Sequence, residues 1–355
     1  MLQALKKILK KYLLPQNPNL YYGELNGSFN YWRLFLWNLR HPGRSINRFR
    51  YGQLFKLNSY RKASFKKMML KLKKNNINSD NYSDDEIINK FDELLDTGGV
   101  VIDGYFSENK IDNFLNKYSS EIKKIKNFNP PPPGGGVNQE NLVLHDELVT
   151  LWLDPHIIQM ISSFHNKTSL ARYYPIFQYT VMKEKLNSRD IHERKITTNG
   201  ACLWHVDHSV LFNMHILLND LTEEDAHMQY IPKSNKYLNS SSNFSDEVVN
   251  ELGIKPIKCI GKKGTVYLHE ANTVHKLNLE KSKNNRLALH LEFTAGANIL
   301  IDCNTISKCL SSGFDLDKLN KSQRNTLKGI FPKSLPKGYE INNSEAISPT
   351  RFKGI

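Results

Sequence analysis

The chain has 355 residues, 39% hydrophobic and 10% aromatic, enough to bury a real core and to exclude wholesale disorder. Its 49 lysines and arginines against 35 acids leave a formal charge of +14. Apolar runs are short, as in Leu34-Phe35-Leu36-Trp37, which excludes a bilayer-spanning helix. No apolar leader with a small-residue cleavage site opens the chain, so a cytoplasmic protein is expected. Cys202, Cys259, Cys303 and Cys309 form no C-x-x-C pair and read as free thiols.

The charge is concentrated at one end. Residues 1–75 hold 17 basic side chains and one acid, Glu24, a net +16. The remaining 32 bases and 34 acids come to −2. Residues 1–14 read as an amphipathic helix: Leu2, Leu5, Ile8, Leu9 and Tyr12 share one face, lysines take the other, and Pro15 ends it. Aromatics and arginines then mix through residues 20–62, with Trp32, Trp37, Arg33, Arg40, Arg44, Arg48, Arg50 and Arg61 among them. Lys66–Lys74 reads as a lysine-rich run with little apolar periodicity, followed by a polar linker over 75–81 that marks a domain boundary. This basic arm suits an anionic membrane surface, which would make the protein peripheral to a membrane. It also suits an acidic partner, an oligomer contact or RNA.

The main domain opens on Ser83-Asp84-Asp85-Glu86, a capping box. The helix it starts carries Ile87, Ile88, Phe91, Leu94 and Leu95 and stops at Gly98-Gly99. Val100-Val101-Ile102 reads as a strand. Ser107 caps a second helix, through Ile111, Phe114, Leu115, Tyr118 and Ile122. Pro130–Pro133 and Gly134–Gly136 read as loop, a solvated insertion in preference to a flap. Between about 171 and 295, strands are expected at Tyr173–Met182, Leu211–Leu218, Met228–Ile231, Gly264–Leu268 and Leu287–Phe293. Short strands with irregular loops suggest an antiparallel sandwich or small barrel. A weak helix near Leu316–Leu327 and a polar tail complete a C-terminal extension, 301–355.

The densest chemical signal is Trp204-His205-Val206-Asp207-His208. In a strand, residues i and i+2 project to one face, so His205 and Asp207 can aim at one point. One imidazole and one carboxylate need one more imidazole to make a ferrous site with open positions. His275 is the natural third ligand and His269 its rival. Arg286 enters the strand Leu287–Phe293 and needs an anionic partner if buried, either a carboxylate ligand or an internal acid such as Glu292. A zinc site of the H-x-H-x-D-H kind is broken here, because Leu203 stands where its first histidine belongs.

In this ordered set the chain resembles the phytanoyl-CoA dioxygenase (PhyH-like) family of Fe(II)- and 2-oxoglutarate-dependent oxygenases. His205-x-Asp207, His275 and Arg286 reproduce its metal and cosubstrate pattern, and Leu95–Ser107 and Asn219–Lys236 resemble two further stretches. Lys233 and Asn235 depart from the family's turn, where glycine and histidine are usual. The resemblance implies a mainly β fold with flanking helices, a double-stranded β-helix (jelly roll) over residues 83–300. It implies Fe(II) on His205, Asp207 and His275, with 2-oxoglutarate reaching Arg286 and O2 as the second cosubstrate. Tyr179 and His215 are carried over as residues beside the cosubstrate. Halogenating relatives replace the carboxylate ligand with a small residue, so Asp207 implies hydroxylation of a small-molecule or lipid-linked substrate. A nucleic-acid- or protein-modifying oxygenase, or a non-enzymatic binding protein on the same fold, is the alternative. The charge of −2 over residues 76–355 makes nucleic acid the less favoured partner.

Overall fold

The computed structural model describes residues 58–127, 136–139, 142–166, 168–171, 175–180, 204–207, 211–236, 243–244, 246–279, 283–295 and 318–327. The expected helix at 1–14, the rest of the basic arm up to residue 57 and the loop through Gly135 lie outside these residues.

Helix α1 (Asn58–Lys74) buries Arg61, Phe65, Met69 and Leu72. That spacing of four, four and three residues is one stripe of a helix, even though lysines fill the positions between. Phe65 meets Phe91 at a ring-centroid distance of 4.2 Å, and the Arg61 guanidinium lies 5.0 Å over the Phe164 ring. The boundary expected at 75–81 therefore does not separate α1 from the main domain: Phe65, Met69 and Leu72 share one core with Phe91.

Helix α2 (Asp84–Thr97) begins at the expected capping box. Glu86 accepts from the Ser83 amide at 2.8 Å, while Ser83 Oγ accepts from the Glu86 amide at 3.4 Å. It ends on Gly98, at φ 81°, where a Cβ would lie 2.4 Å from Asn235 Cγ. Glycine is needed there twice over, for its backbone and for its lack of a side chain. Strand β1 (Gly99–Ile102) follows, then α3 (Glu108–Lys117), capped by Ser107. The single helix expected through Ile122 is interrupted at Tyr118, and α4 (Ser119–Lys126) starts there.

Strand β2 (Gly136–Gln139) takes in the last glycine of the expected loop, and helices α5 (Asp146–Trp152) and α6 (Pro155–His165) come next. Asp154 caps α6 by accepting from the amides of His156 and Ile157, both at 3.0 Å. The remaining strands are β3 (Ser169–Ala171), β4 (Ile176–Thr180), β5 (Trp204–His205), β6 (Leu211–Leu217), β7 (His227–Tyr230) and β8 (Asn243–Phe244). After α7 (Asp246–Glu251) come β9 (Ile257–Cys259), β10 (Val266–Glu270), β11 (His275–Asn278) and β12 (Arg286–Ala295). Helix α8 (Lys321–Leu327), inside the C-terminal extension, packs back on the helical layer: Gln323 Nε2 donates to the Leu153 carbonyl at 3.0 Å.

The strands form two antiparallel sheets. One runs β1-β10-β6-β12-β4-β2, with β3 also paired to β12; the other runs β8-β5-β11-β7-β9. From β4 to β7 and again from β9 to β12 the chain passes from one sheet to the other at each step. This is a double-stranded β-helix of jelly-roll type with flanking helices. Strand alternation divides the larger sheet by face. Phe177, Phe212, Met214, Ile216, Leu268 and Leu289 are part of the core shared with the helices. The residues between them, among them Gln178, Asn213, His215, His269 and Arg286, belong to the opposite face, turned toward the smaller sheet. Among the described residues, no helix is long and apolar enough to cross a membrane.

Candidate metal centre

Strands β5 and β11 pair in the smaller sheet, and their only register partners are His205 and His275. That pairing sets the two imidazoles side by side, with ring centroids 4.2 Å apart. Asp207 follows β5 and is held by its own backbone, since its amide donates to the Ala271 carbonyl at 2.8 Å. Its carboxylate lies 3.8 Å from His205 Nε2 and 3.5 Å from His275 Nε2. The ligand atoms of His205, Asp207 and His275 all fall within 4.8 Å of one another.

The tautomer of His275 is set by its surroundings. Its Nδ1 lies 2.8 Å from the Thr273 carbonyl, which can only accept, so Nδ1 carries the proton and Nε2 offers its lone pair. Burial pulls the His275 imidazole down to about 4, so the neutral, ligating form prevails at neutral pH. For Asp207 burial works upward, but His275, His205 and the Asn213 amide outweigh it and keep the carboxyl below its usual range. Two imidazoles and a carboxylate converging from strand and loop are a donor set that fits Fe(II) with positions left open.

The turn between β7 and β8 supports this centre. Ser234 is fully buried, and its Oγ accepts from the Val274 amide at 2.8 Å, next to the ligand His275. Lys233, where the resemblance expected glycine, has φ 68° and donates its amide to the Thr97 carbonyl at 2.7 Å. The left-handed backbone is kept although the glycine is not.

Arg286 is 2% exposed at the start of β12. Its guanidinium reaches Gln178 Oε1 at 3.3 Å and His215 Nδ1 at 3.2 Å, and its Nε has no hydrogen-bond partner among the described residues. Glu292 is not its counterion. Six residues along the same strand put the two about 20 Å apart, and Glu292 lies 3.7 Å from His290. Burial lowers the Arg286 guanidinium to about 10. Among the described residues only neutral groups hold this buried cation, a costly arrangement that a carboxylate ligand would relieve.

His215 lies beside Arg286. It stacks on His290 at 4.5 Å and on His269 at 6.1 Å, which connects Arg286 to the metal ligands along one face. Tyr179 is not brought together with them. It pairs in register with Leu287, packs against the helix-side core, and its hydroxyl accepts from Asn285 Nδ2. The expectation for Tyr179 is corrected by strand parity, for Gln178, one residue earlier, is the β4 side chain that faces Arg286. Gln178 and Asn213 were missed in the sequence. The signal for both was available: each lies an odd number of positions from a large apolar residue on its own strand, Phe177 or Phe212.

No family model matches the chain, and no curated protein does either. Solved structures do show likeness. The non-heme alpha ketoglutarate dependent epimerase SnoN from nogalamycin biosynthesis superposes with a TM-score of 0.47 at 13% identity, over 60% of this chain and 84% of its own. The carbocyclase SnoK from the same biosynthesis gives 0.45 at 17% identity, over 61% and 86%. EctD from S. alaskensis, solved with 2-oxoglutarate and 5-hydroxyectoine, gives 0.42 at 15% identity, over 60% and 78%. With every TM-score below 0.5, these likenesses bear no weight for the chemistry, which rests on the side chains.

Proposed function

We propose that this chain is an Fe(II)- and 2-oxoglutarate-dependent dioxygenase that hydroxylates a C–H bond of a small-molecule or lipid-linked substrate. One observation carries the reading. The larger sheet's inner face, turned toward the two-histidine, one-carboxylate cluster, carries a buried arginine with no carboxylate partner among the described residues. The cluster asks for a metal, and the arginine asks for an anion within reach of it.

His205, Asp207 and His275 would hold the iron, leaving its remaining positions to 2-oxoglutarate and O2. Iron with these two cosubstrates supplies the oxidant, converting 2-oxoglutarate to succinate and carbon dioxide while one oxygen atom goes to the substrate. The protein's own part is positional. Arg286 would bind the distal carboxylate of 2-oxoglutarate through its guanidinium, a charge-assisted contact of about 1.5–3 kcal/mol. Gln178 and His215 orient that guanidinium from either side. Thr273 holds the ligating tautomer of His275, and Ala271 holds the backbone of Asp207. The buried wall of Tyr267, His269 and His275 excludes water from the reacting face.

The test is iron content measured alongside cosubstrate turnover. The full chain should bind one Fe(II) and consume 2-oxoglutarate slowly even without substrate. His205→Ala and His275→Ala should each lose the iron and the turnover together. Iron retained by both variants at the wild-type level would overturn the assignment.

A further inference from the structure

Three imidazoles, not two, stand around Asp207. His269 Nε2 lies 4.0 Å from Asp207 Oδ2, close to the 3.5 Å and 3.8 Å of His275 and His205. The rings repeat the pattern. His205 and His269 each sit 4.2 Å from His275, at the same interplanar angle of 51°. His269 is fully buried, so solvent does not draw its ring away. It thus stands at the edge of the cluster, beside Asp207 and His275 but outside the three residues whose ligand atoms all lie within 4.8 Å of one another.

What separates it from the others is Asn213, its cross-strand partner between β6 and β10. The Asn213 amide nitrogen lies 2.5 Å from Asp207 Oδ2 and 3.0 Å from His269 Nε2. The orientation of the amide is decided chemically, because the reverse flip would set its oxygen against the Asp207 carboxylate. An NH2 group can only donate, so both contacts are donations and His269 Nε2 is the acceptor. The proton of His269 is therefore on Nδ1, and the lone pair that could bind a metal is the one Asn213 occupies.

We infer that Asn213 withholds His269 from the metal and so keeps the centre a two-histidine, one-carboxylate site with open positions. The inference rests on the proposed metal centre and names a specificity device within it. A six-coordinate ion held by three imidazoles and a carboxylate would keep two open positions; held by two imidazoles and a carboxylate it would keep three, as a chelating cosubstrate and O2 together require. A single amide thus does two jobs. It fixes the Asp207 carboxylate, and it engages the lone pair that would otherwise take one of those positions. Asn213 acts here as a positioning residue, through Asp207 and His269.

The experiment counts imidazoles. In the full chain loaded with Co(II), each bound histidine whose other nitrogen carries a proton gives one hyperfine-shifted, exchangeable N–H resonance by proton NMR. Wild type and His269→Ala should both show two, and Asn213→Ala should show three. The double variant Asn213→Ala/His269→Ala should return to two, which a merely structural role for Asn213 would not produce. Co(II) affinity should rise on the order of tenfold in Asn213→Ala, the scale on which groups behind the ligands act, and fall back in the double variant. Two resonances in Asn213→Ala would overturn the inference while leaving the metal centre in place. One resonance in His269→Ala would also overturn it, by showing that His269 is already a ligand; that variant decides the matter even if Asn213→Ala fails to fold. A wild type that binds no Co(II) would instead sink the proposed centre itself.

Discussion

The two faces of the larger sheet are made from the same strands and have almost nothing else in common. On the side facing the helices, Phe177, Phe212, Met214, Ile216, Leu268, Leu289 and Phe293 pack into the core shared with the helices. On the other side the alternate residues of these strands are Gln178, Asn213, His215, His269, Arg286 and His290. Six residues of β12 alone run Arg, Leu, Ala, Leu, His, Leu. One face holds the fold through apolar burial, at about 25 cal/mol per Å². The other holds buried polar groups, which are costly to bury and are the ones the proposed function uses. Stability and chemistry are thus interleaved at a period of two residues, and a substitution moved by one position should change which of them it damages.

The largest effect is expected on the helix-facing side. Removing residues 1–75 takes away α1 and with it Phe65, Met69 and Leu72 from the shared core. Truncating each of these alone would cost about 2–5 kcal/mol, against a typical total stability of about 5–15 kcal/mol. The truncated chain should therefore lose its cooperative melting transition by circular dichroism. A melt within a few degrees of the full chain would show that α1 is an appendage after all.

Arg286→Met tests the other face. With metal present, saturating 2-oxoglutarate should stabilise the wild type by about 2.7 kcal/mol at a hundredfold excess over its Kd. The variant should bind metal normally and show no such gain. Thermal melts with and without 2-oxoglutarate measure the difference directly, and an equal gain in both would remove Arg286 from the cosubstrate's site.

Acid should act through the helix-facing side as well. Burial, helped by Arg61, lowers the His165 imidazole from 6.5 to about 3. The unfolded chain then takes up this proton first, so stability is full above about pH 6.5 and falls as pH drops toward 3. The slope from this one group is at most about 1.4 kcal/mol per pH unit. In metal-free protein, His165→Phe should flatten the fall in Tm between pH 6.5 and 5; an unchanged fall assigns the acid sensitivity to other groups.

The smallest effect belongs to the turn behind His275. Lys233 has φ 68°, a conformation that costs a side-chain-bearing residue about 1–2 kcal/mol. Its ion pair with Asp96, at 3.1 Å and 56% exposed on both sides, offsets little of that. Lys233→Gly should raise stability by up to about 1 kcal/mol in denaturant titration, with iron binding unaltered. A loss would mean that the lysine side chain contributes more than its backbone costs.

Residue spacing made much of the site legible in the sequence. The H-x-D pair, His275 and the arginine at a strand entry are short-range patterns, and strand geometry converts each into a direction. Tyr179 shows where such reasoning stops. An expected strand running from Tyr173 to Met182 does not reveal its parity, and an error of one position sends a side chain to the wrong face. Helix α1 shows the opposite failure. Its lysines masked a stripe at Arg61, Phe65, Met69 and Leu72 that a strict helical count would have found.

What the sequence by itself determined is the set of local commitments: the capping box at Ser83, the glycine stop at Gly98, the strand alternation, and the order of the ligand residues. These arise from backbone sterics and side-chain periodicity, which act over a few residues and need no partner. Only the tertiary structure decided that β5 and β11 pair at His205 and His275. The same holds for Asn213, which meets both Asp207 and His269, and for Arg286, which is buried between Gln178 and His215. Those facts depend on strands separated by tens of residues in the chain, whose pairing is set by the collective burial of the sheet. No spacing rule carries information across such distances.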